Sequence, residues 1–339
     1  MKIAIVGFPG CGKSTCFKAI TQKTKNETDS LDPTKPHLGT VKILDQRLER
    51  LETFFNPKKL TYAEIVFEDL PGFHIHQIKE VEALMEVLGI FSGSRDPVKD
   101  IEDMDVEFML ADLSVIDNRL PALDKELKQD NRREKILERE TLLKCKKVLE
   151  KNTPLGNLVL TADQEKVIRG FQFLSRKPLF ILGNIDENRP ADDTVKKMED
   201  YCKKRNVKCA EFPAKLEAEI ADLEESERAA FLKELGISQA ARDRVIKLAY
   251  DALGYITFFT VKGSQTKAWP VKNGTTAIEA AGKIHSDIQK GFIKAETINF
   301  DDLIACGSMQ GARKKALLKL EGKEYRIKDG DIIDFRFSV

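Results

Sequence analysis

Cysteine and histidine are sparse in this chain of 339 residues, which holds six of the first and four of the second. The cysteines, at positions 11, 16, 145, 202, 209 and 306, form no C-x-x-C pair, and the histidines are too scattered to complete a zinc site. The disulfide framework of a small secreted domain is thereby excluded, and free thiols suit a reducing cytosol. An excess of one charge is missing too. The 56 lysines and arginines nearly cancel 55 aspartates and glutamates, so bulk charge advertises neither a nucleic acid nor a membrane surface. No run approaches the roughly twenty apolar residues that span a bilayer. Internal repeats and low-complexity tracts are absent as well. The chain opens on a strand-like run, Lys2-Ile3-Ala4-Ile5-Val6, rather than on a secretory leader. A cytoplasmic protein with no membrane partner is the expectation.

Apolar residues, at 42%, suffice for more than one core. Short apolar runs at Ile3–Val6, Ala63–Phe67, Ala83–Phe91, Leu179–Leu182 and Lys208–Phe212 alternate with helical segments. That alternation predicts an α/β fold, with a mostly parallel sheet covered by helices on both faces. Between residues 101 and 127 the apolar positions recur every three or four residues, from Ile101, Met104 and Phe108 to Leu123 and Leu127. A charged stretch, 125–151, continues the pattern until Pro154-Leu155-Gly156 breaks it, and Thr161-Ala162-Asp163-Gln164 reads as a capping box opening another helix. This middle is expected to form a projecting helical hairpin or coiled coil, with Pro121 as a candidate kink. After Gly254 the texture is that of a small α+β domain: a strand from Tyr255, a helix over Ala277–Ile284, and a last strand after the Asp329-Gly330 turn.

Chemistry concentrates near the N-terminus. Gly7-Phe8-Pro9-Gly10-Cys11-Gly12-Lys13-Ser14 fits G-x-x-x-x-G-K-[ST], directly after a strand and before a helix-compatible run from Thr15. In that context the loop's N–H groups and the helix N-terminus converge on phosphates. Lys13 reaches the β- and γ-phosphates as the candidate catalytic group, and the Ser14 hydroxyl ligates Mg²⁺. Asp69-Leu70-Pro71-Gly72 ends the next strand as a D-x-x-G, which places the Asp69 carboxylate near the metal and the Gly72 N–H near the γ-phosphate. Asn184-Ile185-Asp186-Glu187 stands where GTPases carry N-K-x-D, with Ile185 for the lysine and Glu187 for the base-reading aspartate, so the guanine-specifying bonds are not clearly available. Pro213-Ala214-Lys215 follows the next strand, at the place of a base-contacting loop.

These motifs, with the C-terminal Leu253–Thr260, Gly274–Ala277, Glu279–Asp287 and Gly330–Phe337 segments, resemble the YchF or Obg-like ATPase family of P-loop proteins over essentially the whole chain. The resemblance implies a G-domain in two parts (1–112 and 177–252), a helical coiled-coil insertion (113–176) and a β-grasp TGS domain (253–339). It further implies binding of ATP in preference to GTP, with Asn184, Ile185 and Glu187 going with that preference. Slow Mg²⁺-dependent hydrolysis and association with the ribosome or other translation machinery are also implied.

The chain departs from the family where hydrolysis is organised. Gly10 replaces an asparagine suited to holding a potassium ion. The glycine-rich switch has no counterpart between Phe73 and Ala83, and the family's histidine aligns with Glu86. His74 and His76 are candidate substitutes, and in the first switch Thr34 and Thr40 flank Pro36-His37-Leu38-Gly39 as alternative candidates for the Mg²⁺ shell. Cys11 is a candidate oxidation site. Lys272, Lys283, His285, Lys290 and Lys294 could face RNA phosphates or simply solvent. The first functional hypothesis is therefore a slow ATPase switch. Its alternatives are a binding-only pseudo-NTPase adaptor, a GTP-preferring GTPase and a small-molecule or nucleotide kinase.

Overall fold

The computed structural model describes residues 1–22, 35–70, 78, 80–91, 95–130, 132–186, 193–224, 227–228, 230–231 and 241–338. The first elements are β1 (Lys2–Val6), α1 (Lys13–Thr21), β2 (His37–Ile43), α2 (Gln46–Phe55), β3 (Lys59–Thr61), β4 (Ala63–Asp69) and β5 (Ala83–Ile90). Two long helices follow, α3 (Pro97–Gln129) and α4 (Arg133–Leu149). Then come α5 (Ala162–Ile168), β6 (Leu179–Ile185), α6 (Asp193–Lys204), β7 (Lys208–Phe212), α7 (Ala214–Asp222) and α8 (Ala241–Ala252). The chain continues through β8 (Tyr255–Lys262), β9 (Gln265–Lys272), α9 (Ala277–Ile284), α10 (Ser286–Lys290) and β10 (Phe292–Asn299). It closes with α11 (Phe300–Cys306), α12 (Met309–Lys314), β11 (Lys319–Glu321) and β12 (Asp331–Phe337). These elements form two compact units, residues 1–41 with 66–249 and residues 42–65 with 250–339.

The first unit is built on a sheet of order β2-β4-β1-β5-β6-β7. The pairs β1–β4, β1–β5, β5–β6 and β6–β7 are all parallel, as the continuously apolar strands predict. Every residue of β5 is buried, because both of its faces are covered. Ala4, Val6 and Leu84 pack against Met104 and Phe108 of α3. Leu88, Ile90 and Ile181 pack against Ile101 of α3 and Met198 and Cys202 of α6. β2 carried no sequence signal of comparable strength, since its alternating exposure leaves only Gly39 and Val41 buried.

α3 runs 33 residues, capped by the Asp96 carboxylate accepting from the Val98 N–H, with Pro97 in its first turn. It continues through Pro121, whose ring lies on the exposed side of the helix. α4 turns back along it. Met109, Ile116 and Leu123 meet Leu142, Cys145 and Leu149 in one core, and the Arg119–Glu138 (2.7 Å) and Arg139–Asp124 (2.6 Å) ion pairs cross the hairpin. The capping box that opens α5 forms as read, Thr161 and Gln164 bonding reciprocally. The buried Asp112 carboxylate accepts from the Leu174 N–H (2.7 Å), the Ser175 N–H (2.9 Å) and the Ser175 hydroxyl (2.7 Å), tying α3 to the return segment.

The second unit carries a sheet of order β11-β10-β12-β8-β9-β3. The β8–β9 hairpin is antiparallel and β12 runs parallel to β8. α9, opened by a Thr276/Glu279 capping box, packs Ala277, Ala280 and Ala281 against Phe258, Ile333 and Phe335. Hairpin, helix and a returning central strand follow one another in β-grasp order. Residues 42–65, expected in the nucleotide-binding part, belong to this unit instead. Leu48 and Leu51 of α2 pack on Phe259, Ile298 and Ile332, and β3 adds a strand parallel to β9. The apolar stripe of α2 announces a helix, but nothing local in it says which sheet it covers.

Candidate nucleotide-binding site

Two glycines of the loop after β1 are required by crowding as well as by backbone conformation. Gly7 has φ +147°, and a Cβ there would lie 2.5 Å from the Val87 carbonyl oxygen of β5. Gly12, at φ +93°, is the N-cap of α1, and a Cβ there would land on the Asn184 side-chain amide. Pro9, Gly10, Ser14 and Thr15 are exposed at the mouth of the loop. The Lys13 ammonium is folded into it, donating to the carbonyls of Gly7 (2.8 Å) and Phe8 (3.3 Å).

Asp69, the last residue of β4, is buried, and its Oδ1 has no hydrogen-bond partner among the described residues. Burial raises its pKa, while the Ser14 hydroxyl, His37 and Lys13 pull the other way. An orphaned buried carboxylate oxygen beside a serine hydroxyl is the kind of oxygen set a hard divalent cation takes, so these residues fit Mg²⁺. A cavity of about 430 Å³ opens there, lined by Ser14, Lys18, His37, Asp69, Lys215 and Asp222 among others. Lys18 and Asp222 pair at its wall, 2.8 Å apart.

Asn184 joins the other predicted pieces. Its Nδ2 donates to the Cys11 carbonyl (3.0 Å) and its Oδ1 accepts from the Ala214 N–H (3.3 Å). The phosphate loop, the end of β6 and the start of α7 at Pro213-Ala214 are therefore held by one side chain. Ile185 is buried at the end of β6. Gly72, Glu187, Thr34, Phe73, His74 and His76 lie outside the described residues. Thr40 is exposed on β2.

Two further residues define the surroundings. Glu86 is wholly buried in β5 with neither carboxylate oxygen hydrogen-bonded among the described residues, and burial pushes its pKa well up. Arg95, which no motif singled out, lies over the Phe8 ring at 4.8 Å and pairs with Asp100 (3.0 Å) and Asp103 (2.5 Å) at the start of α3. The Cys11 thiol is buried, and burial raises its pKa, which disfavours the reactive thiolate. Lys272, Lys283, His285, Lys290 and Lys294 are all exposed in the second unit.

Strand, glycine loop, a helix start carrying lysine and serine, and a carboxylate at the end of the neighbouring strand define a P-loop nucleotide-binding domain. Residues 1–250 match the family model described as ABC transporter, a P-loop ATPase module, and no described helix is long and apolar enough to cross a membrane. Residues 255–338 match the model YchF-GTPase_C, described as a protein of unknown function (DUF933). The ribosome-binding ATPase YchF of Bacillus subtilis (strain 168) is 37% identical, the match covering 99% of this chain and 98% of that protein. Its namesake from Escherichia coli O157:H7 is 34% identical, over 100% and 99%. The chain belongs to the YchF family. The YchF GTPase of Schizosaccharomyces pombe shares the fold at a TM-score of 0.84, with 23% identity, covering 99% of this chain and 97% of that one.

Proposed function

We propose that the protein is a cytoplasmic, slow Mg²⁺-dependent ATPase that works as a nucleotide-controlled switch on the ribosome or other translation machinery. The observation that carries this reading is the buried, partner-poor Asp69 carboxylate beside Ser14, at the mouth of a glycine loop already occupied by the Lys13 ammonium. In the bound state Lys13 leaves its loop carbonyls for the β- and γ-phosphates, while the N–H groups from Gly10 to Thr15 that are free to donate converge on the phosphates. Ser14 and Asp69 hold Mg²⁺, which offsets charge on the phosphate oxygens. Asn184, Ile185, Glu187, Pro213 and Ala214 surround the base, and Gly72 senses the γ-phosphate.

ATP is preferred over GTP in this reading, supported by Ile185 and Glu187 in place of the guanine-reading residues and by the printed names of the bacterial relatives. The ribosome as partner rests on those same names. The division into a two-part G-domain, a coiled-coil insertion and a C-terminal TGS domain is part of the proposal, with residues 42–65 assigned to the C-terminal unit. Slow turnover is supported by Glu86, which stands where the family has a histidine: a carboxyl sealed in the core of β5 is not placed to act as a base on water.

Phosphate release from Mg-ATP, followed over many turnovers against a Lys13→Ala control, tests the enzyme assignment. Slow release abolished in the control is the expected result. Release indistinguishable from the control would leave a binding-only adaptor, and rates of a metabolic kinase would contradict the switch.

A further inference from the structure

Cys202 is the tenth residue of α6 and Cys209 the second of β7, and the turn between them is tightly specified. The Arg205 N–H bonds to the Tyr201 carbonyl (3.2 Å), the Asn206 N–H to Lys203 (3.2 Å) and the Val207 N–H to Cys202 (2.9 Å). Asn206 takes the left-handed conformation, φ +54°, that folds the chain back onto the helix it has just left. Both side chains enter the core shared with Ile181 and Met198, and the two thiols hydrogen-bond to each other.

The two are chemically unequal. β7 is an edge strand and Cys209 is half-buried, whereas Cys202 is fully buried. The hydrogen bond from Cys202 favours the Cys209 thiolate and holds the Cys202 proton in place, with Arg205, itself paired to Asp105, opposing only weakly. An accessible sulfur with thiolate character next to a second, sheltered thiol is the arrangement of an attacking and a resolving cysteine. By contrast Cys11, Cys16 and Cys145 are all buried, with thiol pKa values pushed up by burial.

We propose that Cys202 and Cys209 are a redox modification site that closes to an intramolecular disulfide when the protein meets a peroxide. The Cys209 thiolate attacks one peroxide oxygen, the O–O bond breaks, and hydroxide leaves and takes up a proton as water. The resulting Cys209 sulfenic acid is attacked by the Cys202 sulfur. The S–S bond forms as S–O breaks, and the second hydroxide leaves with the Cys202 proton as water. Two thiols give up two hydrogens in all, and the peroxide is reduced to two waters. β7 runs directly into Pro213 and Ala214, so closing the bond is expected to weaken nucleotide binding. That consequence rests on the base-pocket reading above, and unchanged affinity in the cross-linked protein would count against that reading while leaving the disulfide standing.

The test exposes the full-length protein to hydrogen peroxide, alkylates the remaining thiols and maps tryptic peptides by mass spectrometry. Lys203, Lys204, Arg205 and Lys208 separate the cysteines, so a disulfide links peptides 198–203 and 209–215. The expected result is that linked pair, short by two hydrogens and released by dithiothreitol. In Cys202→Ser, Cys209 should stop at the sulfenic or sulfinic acid. Should that variant not fold, Cys209→Ser serves instead, and its buried Cys202 should remain a thiol under the same treatment. Full alkylation of both cysteines after peroxide, or over-oxidised Cys209 in the unmutated protein without the cross-link, would overturn the proposal.

Discussion

The Asn184 carboxamide donates to the Cys11 carbonyl at 3.0 Å, across 173 residues of sequence, and so fixes the floor of the phosphate loop to the end of β6. Its other end receives the Ala214 N–H at 3.3 Å. A residue first read as a base contact is thus also the clamp between the parts of the site.

Asn184→Ala should therefore do two things at once. Leaving the buried Ala214 N–H and Cys11 carbonyl unpaired costs about 1–3 kcal/mol of stability, visible as a lower denaturant midpoint. Nucleotide affinity should fall along with it. Lost affinity with no loss of stability would show that Asn184 contacts only the base.

Gly12→Ala carries a double penalty. The φ of +93° is strained for any residue with a Cβ, and that Cβ would collide with the Asn184 amide. Titration of the variant with Mg-ATP should show binding at least about tenfold weaker, since displacing Asn184 costs on the order of a hydrogen bond to a buried group. Binding equal to the parent's would mean that the loop is looser than its geometry indicates.

Glu86 gives a pH signature. Its folded pKa is raised, chiefly by burial and further by Asp105 and Asp100, with Arg205 opposing. The folded protein therefore keeps a proton that the unfolded chain releases near the ordinary value of about 4.3. Its contribution to stability is fully present below that value and is lost as pH rises toward the folded pKa, by up to about 1.4 kcal/mol per pH unit. Glu86→Gln should remove this slope, matching the parent near the ordinary glutamate value and exceeding its stability at pH 8. Parallel denaturation profiles for the two proteins between those pH values would contradict it.

Asp112 anchors the base of the helical hairpin. Asp112→Ala strips acceptors from the Leu174 and Ser175 N–H groups and from the Ser175 hydroxyl, in a buried setting. A loss of about 3 kcal/mol is expected, with faster amide hydrogen exchange over 155–176 than over β1 and β5. Uniform exchange in both regions would remove the anchor role.

Much of this was legible in the sequence because the signals were local. Continuous apolar runs gave β1, β4, β5, β6 and β7 close to their observed positions, and the Thr161 capping box marks a helix start directly. Gly7, Gly12 and Lys13 could be read because their spacing is dictated by a phosphate. The assignment of residues 42–65 could not, since whether Leu48 and Leu51 cover Phe259 or another sheet is settled by tertiary packing alone. Arg95 over Phe8 was invisible for the same reason: a cation on a ring 87 residues away leaves no periodicity. The clamp role of Asn184 was hidden behind its motif, and the Cys202–Cys209 pair behind a spacing that matches no cysteine pattern.

The most direct test of the account is a calorimetric titration of nucleotide-free protein with Mg-ATP and, separately, Mg-GTP, with Lys13→Ala as the control. Binding of both or of ATP alone is expected, ATP the tighter, with affinity in the control reduced about tenfold to a hundredfold, the worth of a charged hydrogen bond. Tighter GTP binding would contradict the specificity, and no binding of either nucleotide would contradict the site itself.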